Sequence, residues 1–468
     1  MKLFSKMPVV GALTMRLALA AAIAIPAQFS AVAQSAAQGR VALVRDAEIE
    51  ALVREYARPI LKAAGLSKSG IEIILVNDSG FNAFVAGRRM FINTGALMTA
   101  ETPNEIIGVL AHEAGHIAGG HQERLRDQLA RAQTMAIIAS LVGMGATVAG
   151  AATNNRDAVQ AGTGIAMGGT EIARRSLLSY QRTEETSADI SALQYLEATG
   201  QSAKGMLTTF KRFASALALT GARVDPYQVS HPMPRERIAN LTESAEKSRN
   251  FDKKDPAALQ LRHDMMRAKI AAFTGGQGAT SRMFRGNSSP LPGQYGDAIS
   301  TYLYGNPAAA LKKANALLKV QPQNPYFMEL RADVLMKANK PRDAAAAYAK
   351  AVKLDPSKSG ILQVGYGKAL LATGDKASIE TAVQVLKGGI QRDRENPDAY
   401  MPLSQAYGQL GNIGEAELAA AEANYYSGNY LDSKIFAARA QQKLKPGSPS
   451  WVRAQDIINY KDTSKKRK

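Results

Sequence analysis

The chain has 468 residues, with 58 Lys and Arg against 40 Asp and Glu, five His and no Cys. An apolar content of 46% describes two or three folded domains rather than a disordered chain. Without cysteine there is no disulfide framework, thiolate metal site or cysteine nucleophile, so a transition metal must be held by histidine and carboxylate. The formal charge of +18 falls to about +15 once Lys2, Lys6 and Arg16 are set aside as part of a leader. This excess is dispersed and lacks the clustered cations and aromatic platforms of a nucleic-acid surface, leaving an anionic membrane face as the partner it suits.

In chain order, Lys2, Lys6 and Arg16 precede an apolar run from Leu17 to Ile25, which Pro26 breaks before Ala31-Val32-Ala33. This predicts a secretory signal peptide over residues 1–33 and a mature protein in the periplasm of a Gram-negative cell. A domain over 34–245 follows. Ile49, Leu52, Val53, Tyr56, Ile60 and Leu61 recur at three and four residues and predict an amphipathic helix over 46–64. Segments 71–76, 82–85 and 90–93 predict short strands separated by glycine-containing turns. Thr102, Pro103 and Glu105 predict a helix start with Thr102 as N-cap and Glu105 closing a capping box.

No residue between Ala132 and Asn155 is charged, and a second Gly/Ala-rich stretch runs from Ala158 to Gly169. Glycine, threonine and asparagine dilute its hydrophobicity, so a buried or lid-like helical hairpin is expected, with membrane insertion as the alternative. Residues 246–296 read as a helical segment and a Gly/Ser/Pro-rich linker. Pro322 and Pro356 are then 34 residues apart, with Ala332, Ala344, Tyr348 and Ala351 at the small and aromatic positions of a tetratricopeptide unit. The frame recurs after Asn396-Pro397 with Ser404, Ala416 and Ala423, whereas the unit between 357 and 394 matches poorly. A repeat domain over 297–446 is a binding module with a concave groove, and 447–468 reads as a basic tail.

The chemistry lies in His112-Glu113-Ala114-Gly115-His116. On a helix, residues four apart project about 40° from one another, so two imidazoles can reach one Zn²⁺, with Glu113 beside them to take a proton from water. A third ligand must be a carboxylate or histidine. Glu185 begins Glu185-Thr-Ser-Ala-Asp189 on a second predicted helix, and Glu184 is its neighbouring competitor. Asp189, one turn on, is placed to accept the outer N–H of a ligand histidine. His231, near two prolines and ahead of a helix, could support an oxyanion, take the open metal position, or serve as a capping or core histidine. His121, about 140° round the helix from His116, reads as structural, and His263 reads as solvated.

Asn82-Ala83-Phe84, Thr94-Gly-Ala-Leu97, the H-E-x-x-H segment, His121 and Glu185-x-x-Ala-Asp189 together resemble the metallopeptidase family that includes the CAAX prenyl protease and the heat-shock membrane protease. The resemblance implies an α+β zincin-type metallopeptidase domain, mostly helical with a small sheet, followed by an all-α tetratricopeptide solenoid. It implies one Zn²⁺ on His112, His116 and Glu185, Glu113 as general base, and an extended substrate along Asn82, Ala83 and Phe84 by strand addition. It also implies that His231 coordinates zinc in a resting state and gates activity. Joined to a leader and repeats, it implies outer-membrane protein quality control: degrading unfolded or stalled β-barrel proteins, aiding their assembly, and docking the assembly machinery through the repeat groove. The alternative is a repeat chaperone or scaffold with latched protease activity. Where family members usually carry arginine after E-x-x-A-D, this chain has Ile190.

Overall fold

The computed structural model describes residues 42–461, apart from 154, 221–230, 232–234, 277 and 287–289, and leaves out the side chains of 166, 170 and 216–220. The expected leader and residues 462–468 of the expected tail lie outside the described residues. After a short strand β1 (Leu43–Val44), the amphipathic segment forms α1 (Ala47–Ala63), whose N-cap Asp46 accepts a 2.9 Å hydrogen bond from the Ile49 N–H. Strands β2 (Glu72–Val76), β3 (Ala83–Ala86) and β4 (Arg89–Asn93) complete a sheet of order β1-β2-β4-β3. The β2–β4 pair is parallel; β1 and β3 run antiparallel to their neighbours, and β3 is an edge.

A short α2 (Thr94–Thr99) leads to α3 (Pro103–Gly119), the helix that carries H-E-x-x-H. Leu52, Val53 and Ile60 of α1, Met90 and Ile92 of the sheet, and Ile106 and Leu110 of α3 bury into one core. The expected capping box is absent. Thr102 is the N-cap without a side-chain bond; Glu105 instead accepts from the Glu101 N–H at 3.0 Å and pairs with Arg212 at 2.8 Å. Gly120 ends α3 in the left-handed region at φ 65, which glycine adopts without strain.

Two long helices follow, α4 (His121–Ala152) and α5 (Arg156–Ala198), packed as an antiparallel hairpin. The hairpin is not buried as expected: only 11% of the most apolar stretch of α4 is covered. Among the described residues α4 is the one helix long and apolar enough to cross a membrane. Helices α6 (Lys204–Thr220), α7 (Arg235–Glu246) and α8 (Ala257–Thr274) pack round α3 and the root of α5.

Beyond α8, helices pair as Pro290–Tyr304 with Pro307–Val320, Pro325–Lys337 with Pro341–Leu354, and Gly360–Leu371 with Lys376–Arg392. Tyr400–Gln409 with Ile413–Tyr426 and Tyr430–Gln441 with Pro449–Asn459 continue the series. Asn306 and Asn324 cap helices whose first residue is proline, and Asn396 caps a 3₁₀ turn in the same way. Ala332, Ala344 and Ala351 are fully buried at the helix crossings. The poorly matched unit still forms a helix pair, because Gly365 packs against Tyr348 and Gly367 against Leu386. Helix Pro290–Tyr304 begins inside the expected linker. Helix Pro449–Asn459, capped by Ser448, occupies the expected tail, burying Ala454 and Ile457.

Candidate metal centre

His112 and His116 share one face of α3, and their Nε2 atoms converge to 3.0 Å. Gly115 between them lets α5 close in, since a Cβ there would lie 2.9 Å from the Ala188 carbonyl oxygen. That approach brings Glu185 of α5 to 3.3 Å from His116 Nε2 and 3.4 Å from His112 Nε2. His231 completes the group, its Nδ1 3.0 Å from Glu185 Oε1 and 3.3 Å from His112 Nε2. Donor atoms of these four buried residues all lie within 4.8 Å of one another. Glu113, fully buried, lies with Oε1 3.4 Å from His231 Nε2, and neither of its oxygens has a hydrogen-bond partner among the described residues. Burial pushes its carboxyl up to about 7, against the pull of His116 and His112.

A second layer orients these groups. Asp189 Oδ1 stands 3.0 Å from His112 Nδ1, the atom facing away from the cluster. Arg237 of α7, which the sequence reading assigned no role, forks onto Asp189 at 2.6 and 2.8 Å and reaches Glu185 Oε2 at 2.9 Å. Burial opposes ionisation of Asp189, but Arg237 and His112 outweigh it and hold the carboxyl below its ordinary value. Glu185 is likewise held well below its ordinary value, by His231, His112 and His116 against burial. A helix after His231 was expected from the sequence, but nothing there marked that Arg237 of Arg235-Glu-Arg237 would turn inward.

Glu184 points elsewhere, pairing with Arg124 at 2.8 Å and His121 at 2.9 Å. His121 stays out of the four-residue group, but not for the reason its spacing offered. The break at Gly120 returns it to His116, with the two Nδ1 atoms 2.9 Å apart. The solvated reading of His263 is corrected. It is fully buried between the Tyr56 hydroxyl at 3.1 Å and the Ala100 carbonyl at 2.9 Å, because α8 turns it into the core. Pro232 and Pro234, the two prolines near His231, lie outside the described residues.

Edge strand β3 runs beside α3. The Asn93 N–H donates to the Asn82 carbonyl at 2.9 Å, so ladder alternation turns the backbone of Ala83 and Val85 outward. The Gln122 amide donates to the outward Val85 carbonyl. Phe84 stacks on Phe91 with ring centroids 4.8 Å apart, and the buried Asn82 side-chain oxygen has no hydrogen-bond partner among the described residues.

Residues 44–245 match the model of peptidase family M48, and 305–359 and 330–378 match the tetratricopeptide repeat. The chain carries a family M48 metallopeptidase domain. It is 23% identical to the β-barrel assembly-enhancing protease of Escherichia coli (strain K12) over 88% of this chain and 82% of that one. A putative β-barrel assembly-enhancing protease of Vibrio cholerae is 25% identical over 88% of this chain and 83% of its own length. The metalloprotease YcaL of E. coli is 30% identical over 39% of this chain and 66% of its own. The chain is thus a homologue of the assembly-enhancing proteases, with the M48 domain and repeats in the same order as in the sequence reading.

Proposed function

We propose that this M48 metallopeptidase is a zinc-dependent endopeptidase of the periplasm that cleaves misassembled outer-membrane β-barrel proteins and aids their assembly. The observation that carries this reading is the buried four-donor cluster with the carboxylate of Glu113 beside it, whose oxygens accept no hydrogen bond among the described residues. Tetrahedral Zn²⁺ with N and O ligands at 2.0–2.1 Å needs donors about 3.4 Å apart. The separations of His112 and Glu185 from each other and from His116 and His231 are 3.0–3.4 Å, which fits that requirement, and all four donors lie within 4.8 Å of one another. Bound there, zinc supplies a Lewis acid that polarises the scissile carbonyl and acidifies water. Glu113 accepts the proton at its carboxylate and returns it to the leaving amine, a role its raised pKa of about 7 suits. Asp189 and Arg237 hold His112 and Glu185 in orientation. With zinc bound, His231 would be placed to hold the fourth position at rest and so to gate access.

The outward backbone groups of Ala83 and Val85 pair with an extended substrate, which displaces the Gln122 amide. Unfolded barrel strands suit this mode because their own backbone groups are unpaired. A cleft of about 2020 Å³ lies away from the metal cluster, between the sheet and the repeats, and is lined by Arg394, Tyr425, Tyr430 and Tyr460. It supports a partner-docking role for the repeats, with the assembly machinery as the partner, and favours the second reading of a scaffold with minor protease activity. Purified Glu113→Gln separates the two. It should keep its metal while casein and self-cleavage fall about 10²–10⁴-fold; unchanged cleavage sinks the proteolytic role. In the same assay His231→Ala raises cleavage if His231 is a latch, and lowers it if His231 supports the transition state.

A further inference from the structure

The α4–α5 hairpin is built inside-out compared with the rest of the molecule. Met135, Ile137, Ile138, Leu141, Val142 and Val148 of α4 are 48–68% exposed, and Ile165, Met167 and Ile172 of α5 are 45–69% exposed. At about 100° per residue, Ile137, Leu141 and Val148 form one flank of α4 while Met135, Ile138 and Val142 form another. What faces inward is small: Gly150 meets Ala158, Gly162 meets Thr147, and Gly169 meets Ala139, each too close to admit a Cβ. Close backbone contact through small residues, with apolar side chains turned outward, is the packing of helices in lipid.

Charge complements this arrangement. The same register sets Arg126 level with Arg182 and Arg131 within one turn of Arg174 and Arg175; all five are exposed. Asp127 is the exposed acid among them, and Glu171 is already paired with Arg174 and Arg175 at 2.9 and 2.7 Å. Beyond this collar, α4 carries no charge from Ala132 to Ala152, about 30 Å of helix and the thickness of a hydrocarbon layer. Because α5 is continuous, the apolar part runs away from Glu185 and ends about 40 Å from it at Ala158, so it does not roof the metal centre. A second copy would need one apolar stripe, whereas this hairpin is apolar on several sides.

We infer that the α4–α5 hairpin inserts into an anionic lipid bilayer, with the arginine collar at the headgroups. The metal centre, eleven residues along α5 from Arg174, then stands about 16 Å above the membrane surface. This inference is independent of the peptidase reading.

The absence of cysteine makes the test clean. Full-length, zinc-loaded Val148→Cys carries one environment-sensitive nitrobenzoxadiazole label. Its emission should shift to the blue and brighten on adding vesicles of phosphatidylethanolamine and phosphatidylglycerol, and the protein should float with them. Leu141→Glu with Val142→Glu should weaken flotation about a hundredfold while casein cleavage stays unchanged. Neutralising Arg131, Arg174 and Arg175 to Gln should weaken it about fivefold per residue, on anionic vesicles alone. A label at Val148 that does not respond, or flotation that survives the glutamate pair and so belongs to another segment, overturns the inference. So does a dimer that the same pair dissolves without any vesicle binding, which would assign the face to a second copy.

Discussion

Two clusters of buried charge stand in this molecule, and they are organised in opposite ways. At the junction of the peptidase domain and the repeats, Lys269 of α8 pairs with Asp46 at 2.7 Å, Glu48 at 3.3 Å and Glu329 at 3.9 Å. The Tyr295 hydroxyl donates to Glu48 at 2.7 Å. The cation sits at the centre of its acceptors, and their charge raises its pKa well above the ordinary value in spite of burial. In the candidate metal centre the donors of four residues point at one another instead, and neither oxygen of the nearby Glu113 has a hydrogen-bond partner among the described residues. Buried polar groups without partners are costly; the first cluster leaves only Glu329 Oε2 in that state among the described residues, whereas the second leaves both oxygens of Glu113, an arrangement suited to receiving a cation and a substrate. The first joins two domains; the second has the donor set of a metal site.

Substitutions that exchange these properties sharpen the contrast. The largest effect is the loss of cleavage in Glu113→Gln, which touches function and leaves the fold. Next is Lys269→Met, which removes the one cation among three carboxylates. Breaking a buried pair from one side costs about 3–5 kcal/mol. The first unfolding transition should therefore fall sharply, while metal content measured on the folded protein stays as in wild type. A loss below about 1 kcal/mol would mean that the junction is held by apolar contacts alone.

His263 gives a smaller effect with a defined pH window. Burial lowers its pKa from 6.5 to about 4, so the folded chain holds it neutral. The unfolded chain binds the proton near 6.5, and stability is therefore fully present above that pH and declines as pH falls from 6.5 towards 4. The difference corresponds to about 3 kcal/mol. His263→Gln should be less stable at neutral pH but show a flatter decline across this window. Parallel curves for the two proteins would remove His263 as the group responsible.

Periodicity and spacing made much of the architecture legible. The three-and-four repeat of Ile49 to Leu61 became α1, and the 34-residue spacing from Pro322 to Pro356 became stacked helix pairs. His112, Glu113 and His116 were legible because one helical turn brings them together without help from the rest of the fold. What remained illegible depends on tertiary approach. The choice of Glu185 over Glu184 rests on the rotation of α5 against Gly115. The return of His121 depends on a helix break that a continuous-helix count cannot contain. Arg237 is distant in sequence from both carboxylates it binds. The hairpin, expected to be buried or lid-like, is exposed because Gly150, Gly162 and Gly169 close on Ala158, Thr147 and Ala139 of the facing helix and leave the apolar side chains outside.

Asp189→Asn tests the finest part of the comparison. In wild type Asp189 accepts both Arg237 bonds and stands behind His112 Nδ1, so one carboxylate orients the imidazole of a candidate ligand and is itself fixed by a guanidinium. Asparagine keeps the shape but offers one acceptor oxygen and no charge, so His112 loses its orienting anion while remaining on α3. Metal affinity, read by competition with a chelating dye, should fall about 10–100-fold, and cleavage should recover when metal is supplied in excess. Arg237→Lys should move affinity in the same direction, because a single ammonium cannot span Asp189 and Glu185 as the planar fork does. If either variant loses activity that excess metal does not restore, the second layer acts on Glu113 and the substrate rather than through the ligands, and the centre is closer to the junction in design than its geometry implies.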